Sequence, residues 1–503
     1  TIPCWNLYIY RGPEIPRGTD KPLSPDSTRV RSGVVEMGLG TLLVFCLLLR
    51  TVSPLRGVHE TTSSSCSSKL LAAEVHHHRQ HLNSSGLHLP LHHVRSPCSP
   101  VSTPDLSPSD ILRHDALRAE ALDTRLSSAP EKKKKKTTRS SSSLTSPESL
   151  NVPLKPGNSL GVGNYVSSIG LGTPAKDYAM VVDTGSSLTW VQCSPCRVSC
   201  HPQVGAVFDP SASTTYRQVP CSTPECQGLE SATLNPSSCS RTKVCIYEAS
   251  YGDSSFSIGY LSKDTLSLSG SPAISAFVYG CGQDNEGLFG RTAGLIGLAR
   301  NKLSMLSQLA PKYGYAFSYC LPSTSGAGYL SLGGSYGSKT FSFTPMLTSS
   351  MDATLYFLGF AGMSVGQKPL AVSAAAYKSL PTIIDSGTVI TRLPAQVYAA
   401  LSQAVVGALA KHPRAPAYSI LDTCFKGSYE KLPVPVVTMV FAGGAQLRLS
   451  PHNVFYDVTE SVTCLAFARA GSVAIIGNRQ QQTFTVAYDV ASSKIGFAAG
   501  GCG

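Results

Sequence analysis

The chain is short of charge. Only 14% of its 503 residues are Asp, Glu, Lys or Arg. Each side of residue 150 carries a net +6, and in the part from residue 151 onward nothing gathers that charge into a stripe of the kind that tracks a nucleic-acid backbone. No Gly-rich phosphate loop occurs, and neither the Ser nor the Cys clusters come with the partners of a nucleophilic triad. Nucleotide-driven chemistry and Ser or Cys hydrolysis are thereby set aside. No Met precedes Met37. The final Ala498–Gly503 carries no apolar tail, which argues against a lipid-anchor signal.

What is plentiful is Ser, Gly and Pro, the composition of a turn-rich all-β protein. Two short segments stand out. Met180-Val181-Val182-Asp183-Thr184-Gly185-Ser186-Ser187 ends an apolar run in an acid, a hydroxyl and a glycine, and Thr382-Ile383-Ile384-Asp385-Ser386-Gly387-Thr388 repeats it. In each, a buried-type strand delivers an Asp into a tight turn where Gly permits a backbone that a side chain would block. The neighbouring hydroxyls can donate to the carboxylate. One such turn is ordinary. Two, each followed by an apolar-apolar-Gly segment (Leu295-Ile296-Gly297 and Ile475-Ile476-Gly477), read as a duplicated unit with one acid per half. Facing each other, two carboxylates cannot both ionise; they share a proton and act as joint acid and base on one water.

From about Gly163 onward this pattern resembles the pepsin-like aspartic proteases. The resemblance implies an all-β, bilobal fold with a central cleft and few short helices. It gives the catalytic role to Asp183 and Asp385. Tyr251, in Tyr251-Gly252-Asp253-Ser254-Ser255, would sit at the tip of a flap over the substrate, hydrogen-bonded by Trp190. Ser186 and Thr388 would support the carboxylates, and Gly185 and Gly387 would line the substrate site. No metal or organic cofactor is implied. The expected partners are protein or peptide substrates, with a monomeric enzyme, no stable membrane anchor and no nucleic acid on the mature part. Two rival readings come with the resemblance: a catalytically weak relative that binds and inhibits glycosidases, and a DNA-associated protease. The intact acid loops and flap Tyr argue against the first.

Twelve of the 16 cysteines lie between Cys193 and Cys502: Cys193, Cys196, Cys200, Cys221, Cys226, Cys239, Cys245, Cys281, Cys320, Cys424, Cys464 and Cys502. A zinc site is the competing reading of Cys193 and Cys196. The spacings repeat no ligand pattern and a secretory signal precedes them, so disulfides in an oxidising compartment are expected. The Cys-rich stretch between the first Asp and the flap resembles the nepenthesin-type, atypical plant branch of the family.

In chain order, residues 1–36 read as upstream translation rather than native protein, because the signal-peptide core begins only at Met37. A genuine extended leader, such as an organelle transit peptide, is the alternative. Residues 37–57 form the expected signal peptide and 58–150 a prosegment and linker. Residues 151–340 form one protease lobe and 341–503 the other. The expected location is extracellular, in the apoplast, with vacuole or chloroplast as alternatives. Asn83 heads the one glycosylation sequon, and His76–His78 reads as a solvated tract. Within the prosegment, Ile111, Leu112, Leu117, Leu122 and Leu126 fall near helical spacing, with Ser109 or Asp110 as N-cap. Ser96-Pro97-Cys98-Ser99-Pro100 resembles the prosegment signature of the plant group related to the chloroplast-nucleoid DNA-binding protease. Lys132–Lys136 is expected either to be a solvated linker or to fold back as a cationic latch on the two acids and Asp253. Further helices are expected over Leu303–Leu309 and Ala395–Leu409, and a flap hairpin near Tyr247–Tyr260.

Overall fold

Each acid sits at the end of a strand whose last residues are buried on both faces, which is why those runs are unbroken Val, Ile and Met rather than alternating. In Lys176–Asp183 exposure stops after the first two residues. This strand pairs in parallel with Gly294–Gly297, Val182 opposite Ile296 and Asp183 opposite Gly297. Thr382–Ile384 pairs in the same sense with Ala474–Ile476, Ile384 opposite Ile476. The glycines that close the second strand of each pair do matching work. A Cβ on Gly297 would collide with the Ser187 backbone, and one on Gly477 with the Val389 backbone. Both contacts lie four residues beyond the acid, so each acid loop folds flat against its partner strand.

The computed structural model describes residues 87–101, 107–127, 165–251, 255–268, 271–323, 326–333 and 340–502. The signal segment, Asn83, His76–His78, Lys132–Lys136 and the flap residues Gly252–Ser254 lie outside that set. The architecture is all-β with few short helices and two similar halves.

A six-stranded antiparallel sheet joins the halves. Its order is Leu87–His93, Gly328–Leu332, Ala316–Cys320, Thr485–Asp489, Lys494–Ala498 and Ser342–Leu347. The edge strand Leu87–His93 comes from the segment preceding the acid loops. Leu87, Leu89 and Leu91 alternate into the core, and Pro90 is tolerated because an edge strand need not donate on both sides. Its last two residues turn onto a second partner, His92 opposite Val166 and His93 opposite Tyr165. Beneath the acid loops, Phe317 stacks on Tyr488 at 4.4 Å between ring centroids. The Tyr356 hydroxyl donates to the Leu298 carbonyl at 2.6 Å.

Two expected helices occur with shifted ends, Met305–Tyr313 and Ala395–Ala408. The first starts two residues late because Ser304 caps it, accepting from the Ser307 amide. The leading helix spans Pro108–Ser127, longer than its apolar spacing suggests. Its cap is Ser107, which accepts from the Asp110 amide at 3.2 Å, not Ser109 or Asp110. Pro108 then takes the first turn, where it has no amide hydrogen to waste. The flap is a hairpin of Cys245–Ser250 with Phe256–Ser267, Ile246 opposite Tyr260 and Ser250 opposite Phe256.

The twelve cysteines form Cys193–Cys281, Cys196–Cys200, Cys221–Cys239, Cys226–Cys245, Cys320–Cys502 and Cys424–Cys464. Cys193 and Cys196 belong to different disulfides, so they cannot act together as thiolate ligands.

Candidate active site

Asp183 and Asp385 meet at the centre of the molecule in near-symmetric settings. The Gly185 amide donates to Asp183 Oδ1 at 3.1 Å and Ser186 Oγ to Oδ2 at 2.5 Å. The Gly387 amide donates to Asp385 Oδ1 at 3.2 Å and Thr388 Oγ1 to Oδ2 at 2.6 Å. The residues between acid and glycine lock the loops together. The Ser386 amide donates to Thr184 Oγ1 at 2.9 Å and the Thr184 amide to Ser386 Oγ at 3.3 Å. Each carboxylate is therefore fixed by its own turn, and each turn by the other, which pre-organises the pair.

A cation bridges the two acids. Arg118, from the leading helix, donates through Nη2 to Asp183 Oδ1 at 2.7 Å and to Asp385 Oδ1 at 3.0 Å, and through Nε to Asp385 Oδ2 at 2.9 Å. The close approach requires glycine: a Cβ on Gly185 would stand 2.6 Å from Arg118 Nη2, and one on Gly387 would overlap the guanidinium. Burial pushes Asp385 up, but Arg118, Thr388 and the Gly387 amide outweigh it and hold the carboxyl below its ordinary range. Asp385 is thus ionised beneath the guanidinium.

The same helix makes two further charged contacts. Asp115 accepts from the Val389 amide at 2.5 Å, the Ile390 amide at 3.2 Å and Arg392 Nη2 at 2.8 Å. Complete burial outweighs these partners and raises its pKa. Arg125 donates to Asp352 at 2.6 Å, to the Gly185 carbonyl at 2.8 Å and to Thr354 Oγ1 at 2.8 Å. For Asp352, burial is again the opposing influence, yet Arg125 and Thr354 keep the acid below its ordinary range.

Tyr251 lies at the flap side of a cavity shared with Asp183, Ser186 and Arg118. Trp190 Nε1 donates to its hydroxyl at 2.8 Å, and its ring packs edge-on against Phe289. Residues not singled out in the sequence complete the floor. Asn478 Nδ2 donates to the Ser386 carbonyl at 3.0 Å, and Gln481 Nε2 to the Asp385 carbonyl at 3.2 Å.

Arg118, Asp115 and Arg125 also escaped the sequence reading, which looked for a cation in the lysine run. Their signal was present: Asp115, Arg118 and Arg125 recur at helical spacing in line with Leu122, marking charges on a face that must bury its leucines.

Fold and paired carboxylates together define a class, the bilobal pepsin-like aspartic hydrolases. Residues 165–334 match the xylanase inhibitor N-terminal family and residues 355–499 the xylanase inhibitor C-terminal family. Aspartyl protease AED1 of Arabidopsis thaliana is 38% identical over 82% of this chain and 85% of its own length. Aspartyl protease family protein 2 of the same plant is 38% identical over 87% of this chain and 90% of its own. Aspartic proteinase nepenthesin-2 of Nepenthes gracilis is 33% identical over 68% and 79%. Of solved structures, soybean basic 7S globulin superposes with a TM-score of 0.54 at 21% identity, covering 67% of this chain and 94% of that one, a likeness of fold alone. The chain belongs to the pepsin-like aspartic protease family of plants and is an aspartic-type endopeptidase.

Proposed function

We propose that the protein is the precursor of a secreted endopeptidase in which Asp183 and Asp385 activate one water between them. The observation that carries this reading is the symmetric pair of hydroxyl-braced carboxylates, held close enough for one guanidinium nitrogen to bond both. With the helix withdrawn, the two acids share a proton. The ionised member takes a proton from water as the oxygen attacks the scissile carbonyl carbon. The protonated member donates to the carbonyl oxygen. As the tetrahedral intermediate collapses, the C–N bond breaks, the leaving nitrogen receives a proton from the member now protonated, and the member now ionised takes a proton back from the intermediate's hydroxyl, which restores the shared proton. The flap, with Tyr251 steadied by Trp190, closes over the substrate.

Pro108–Ser127 is the inhibiting part of the precursor, because Arg118 occupies the acids and the helix fills the cleft. The six disulfides formed among the cysteines from Cys193 to Cys502 support an oxidising compartment. Among the described residues no helix is long and apolar enough to cross a membrane. The test is Asp183→Asn and Asp385→Asn in protein activated by acid. Each should reduce peptide hydrolysis by at least about a thousandfold while circular dichroism stays native. Near-normal turnover in either variant would remove the dyad assignment.

A further inference from the structure

The leading helix leaves a charge imprint in the cleft. On one side of Arg118, the Asp115 carboxylate fills a pocket made by two backbone amides and a guanidinium. Its side chain is wholly buried and that of Arg392 is 6% exposed. On the other side, the Arg125 guanidinium fills a pocket made by a carboxylate, a hydroxyl and a carbonyl, with Asp352 3% exposed. Neither pocket is built by the helix. Val389, Ile390 and Arg392 continue the second acid loop. Asp352 is oriented by its own neighbour, since the Thr354 amide and Oγ1 both donate to Asp352 Oδ1 at 2.7 Å, and the Gly185 carbonyl belongs to the first acid loop.

When the helix leaves, both pockets stay in the walls beside the acids: Arg392 loses its carboxylate partner, and Asp352 loses its bonded guanidinium and keeps the field of Arg300, whose own Nη2 is turned to the Leu347 and Leu355 carbonyls. A confined charge is costly until something of opposite sign replaces the lost partner. In a peptidase cleft the incoming group is the substrate. Spacing along the helix, at 1.5 Å per residue, puts Asp115 about 4.5 Å and Arg125 about 10.5 Å from Arg118 along the axis. An extended peptide advances about 3.3 Å per residue. The first pocket therefore serves a side chain one or two residues from the scissile bond, and the second a side chain about three residues away on the opposite side.

We propose that Arg392 with the Val389 and Ile390 amides selects an acidic substrate side chain, and that Asp352 with Thr354 and the Gly185 carbonyl selects a basic one. The enzyme would then favour peptides that carry opposite charges flanking the cleaved bond. This assignment rests on the endopeptidase reading above.

The experiment uses acid-activated enzyme at pH 5 and a peptide series of one length. Each position flanking the cleaved bond carries Glu or Gln in one set, and Arg or its uncharged isostere citrulline in the other. One polarity should give a kcat/KM about tenfold to a hundredfold above its uncharged counterpart for the basic side chain, the range of a charge-assisted hydrogen bond; the acidic side chain, whose charge burial opposes in the Arg392 pocket, should show a smaller preference in the same direction. Arg392→Gln should bring the Glu/Gln ratio close to one and leave the Arg/citrulline ratio in place, and Asp352→Asn should do the reverse. The ratios within one enzyme carry the test, so a general loss of activity in a variant does not blur it. The wild-type ratios stand alone if a variant fails to fold. Ratios near one at every position in the wild-type enzyme, or a Glu preference that survives Arg392→Gln, would overturn the subsites while leaving the dyad intact. Absence of any cleavage by the wild-type enzyme, charged or uncharged, would overturn the endopeptidase reading and the subsites with it.

Discussion

The leading strand and the leading helix are held on the same molecule by opposite means. Leu87–His93 is held by a backbone ladder and three buried leucines, and burial disfavours the charged form of its His92 and His93. Burial, with Arg95, Arg479 and His452 as nearby cations, pushes His93 down to about 3. Its ring packs edge-on against Tyr165 and its Nδ1 accepts from the Arg95 amide. Burial lowers His92 as well. Pro108–Ser127 is held by ionised pairs, with Asp385 and Asp352 both kept below the ordinary carboxylate range. Acid therefore loosens the two segments through different groups. An undocked histidine takes up a proton below about pH 6.5 that docked His93 refuses, so the strand weakens from that pH downward. The lowered carboxylates favour the docked helix above their ordinary range, and that contribution is lost only as pH falls through their own depressed values. Asp115, whose pKa is raised, runs the other way and helps to keep the helix docked in acid. The strand should yield before the helix.

The largest effect that would break this contrast is expected from Arg118→Gln. Removing the guanidinium leaves two buried carboxylates without their counter-charge, a loss of about 3–5 kcal/mol for a buried pair. The uncut precursor should then hydrolyse short peptides near pH 6, and amide exchange across 108–127 should accelerate. A precursor that stays silent with its helix protected would show that Arg118 is not what holds the helix. Of intermediate size is the effect at His93. At about 1.4 kcal/mol per pH unit, the wild-type strand should lose about 2 kcal/mol between pH 6.5 and 5. His93→Phe keeps a ring against Tyr165 but cannot take a proton. Hydrogen exchange of 87–93 should lose that slope, while exchange of 108–127 keeps its own. A slope that persists in the variant would move the acid response to His92 or His452. The smallest effect is sought at Asp123, whose Oδ1 accepts from the Ser472 and Val473 amides, both at 2.9 Å. These bonds are near solvent, so Asp123→Ala should cost about 1 kcal/mol of helix docking. A cost as large as that of Arg118→Gln would mean the helix is anchored at its C-terminal end rather than at the acids.

The sequence by itself carried the acid loops, because Asp-Thr/Ser-Gly at the end of an apolar run is a local pattern and its repetition marks a duplicated fold. It also carried the existence of the leading helix, since Ile111, Leu112, Leu122 and Leu126 already define a face that must be buried. The partners of the cysteines were not legible, because twelve of them allow many pairings and only the fold brings Cys320 to Cys502 across 182 residues. Nor was the place of Arg118 as a cation on the acids. Five lysines in a row are conspicuous as composition, whereas one arginine on a helix face is ordinary until tertiary packing aims it. Burying Leu122 and Ile111 against the cleft walls fixes the rotation of Pro108–Ser127 about its axis, and that rotation points Asp115, Arg118 and Arg125 inward. Local pattern decided which segments would be strand, turn or helix. Contact between segments far apart in the chain decided which charges would meet, because a side chain's partner is set by where its backbone is held.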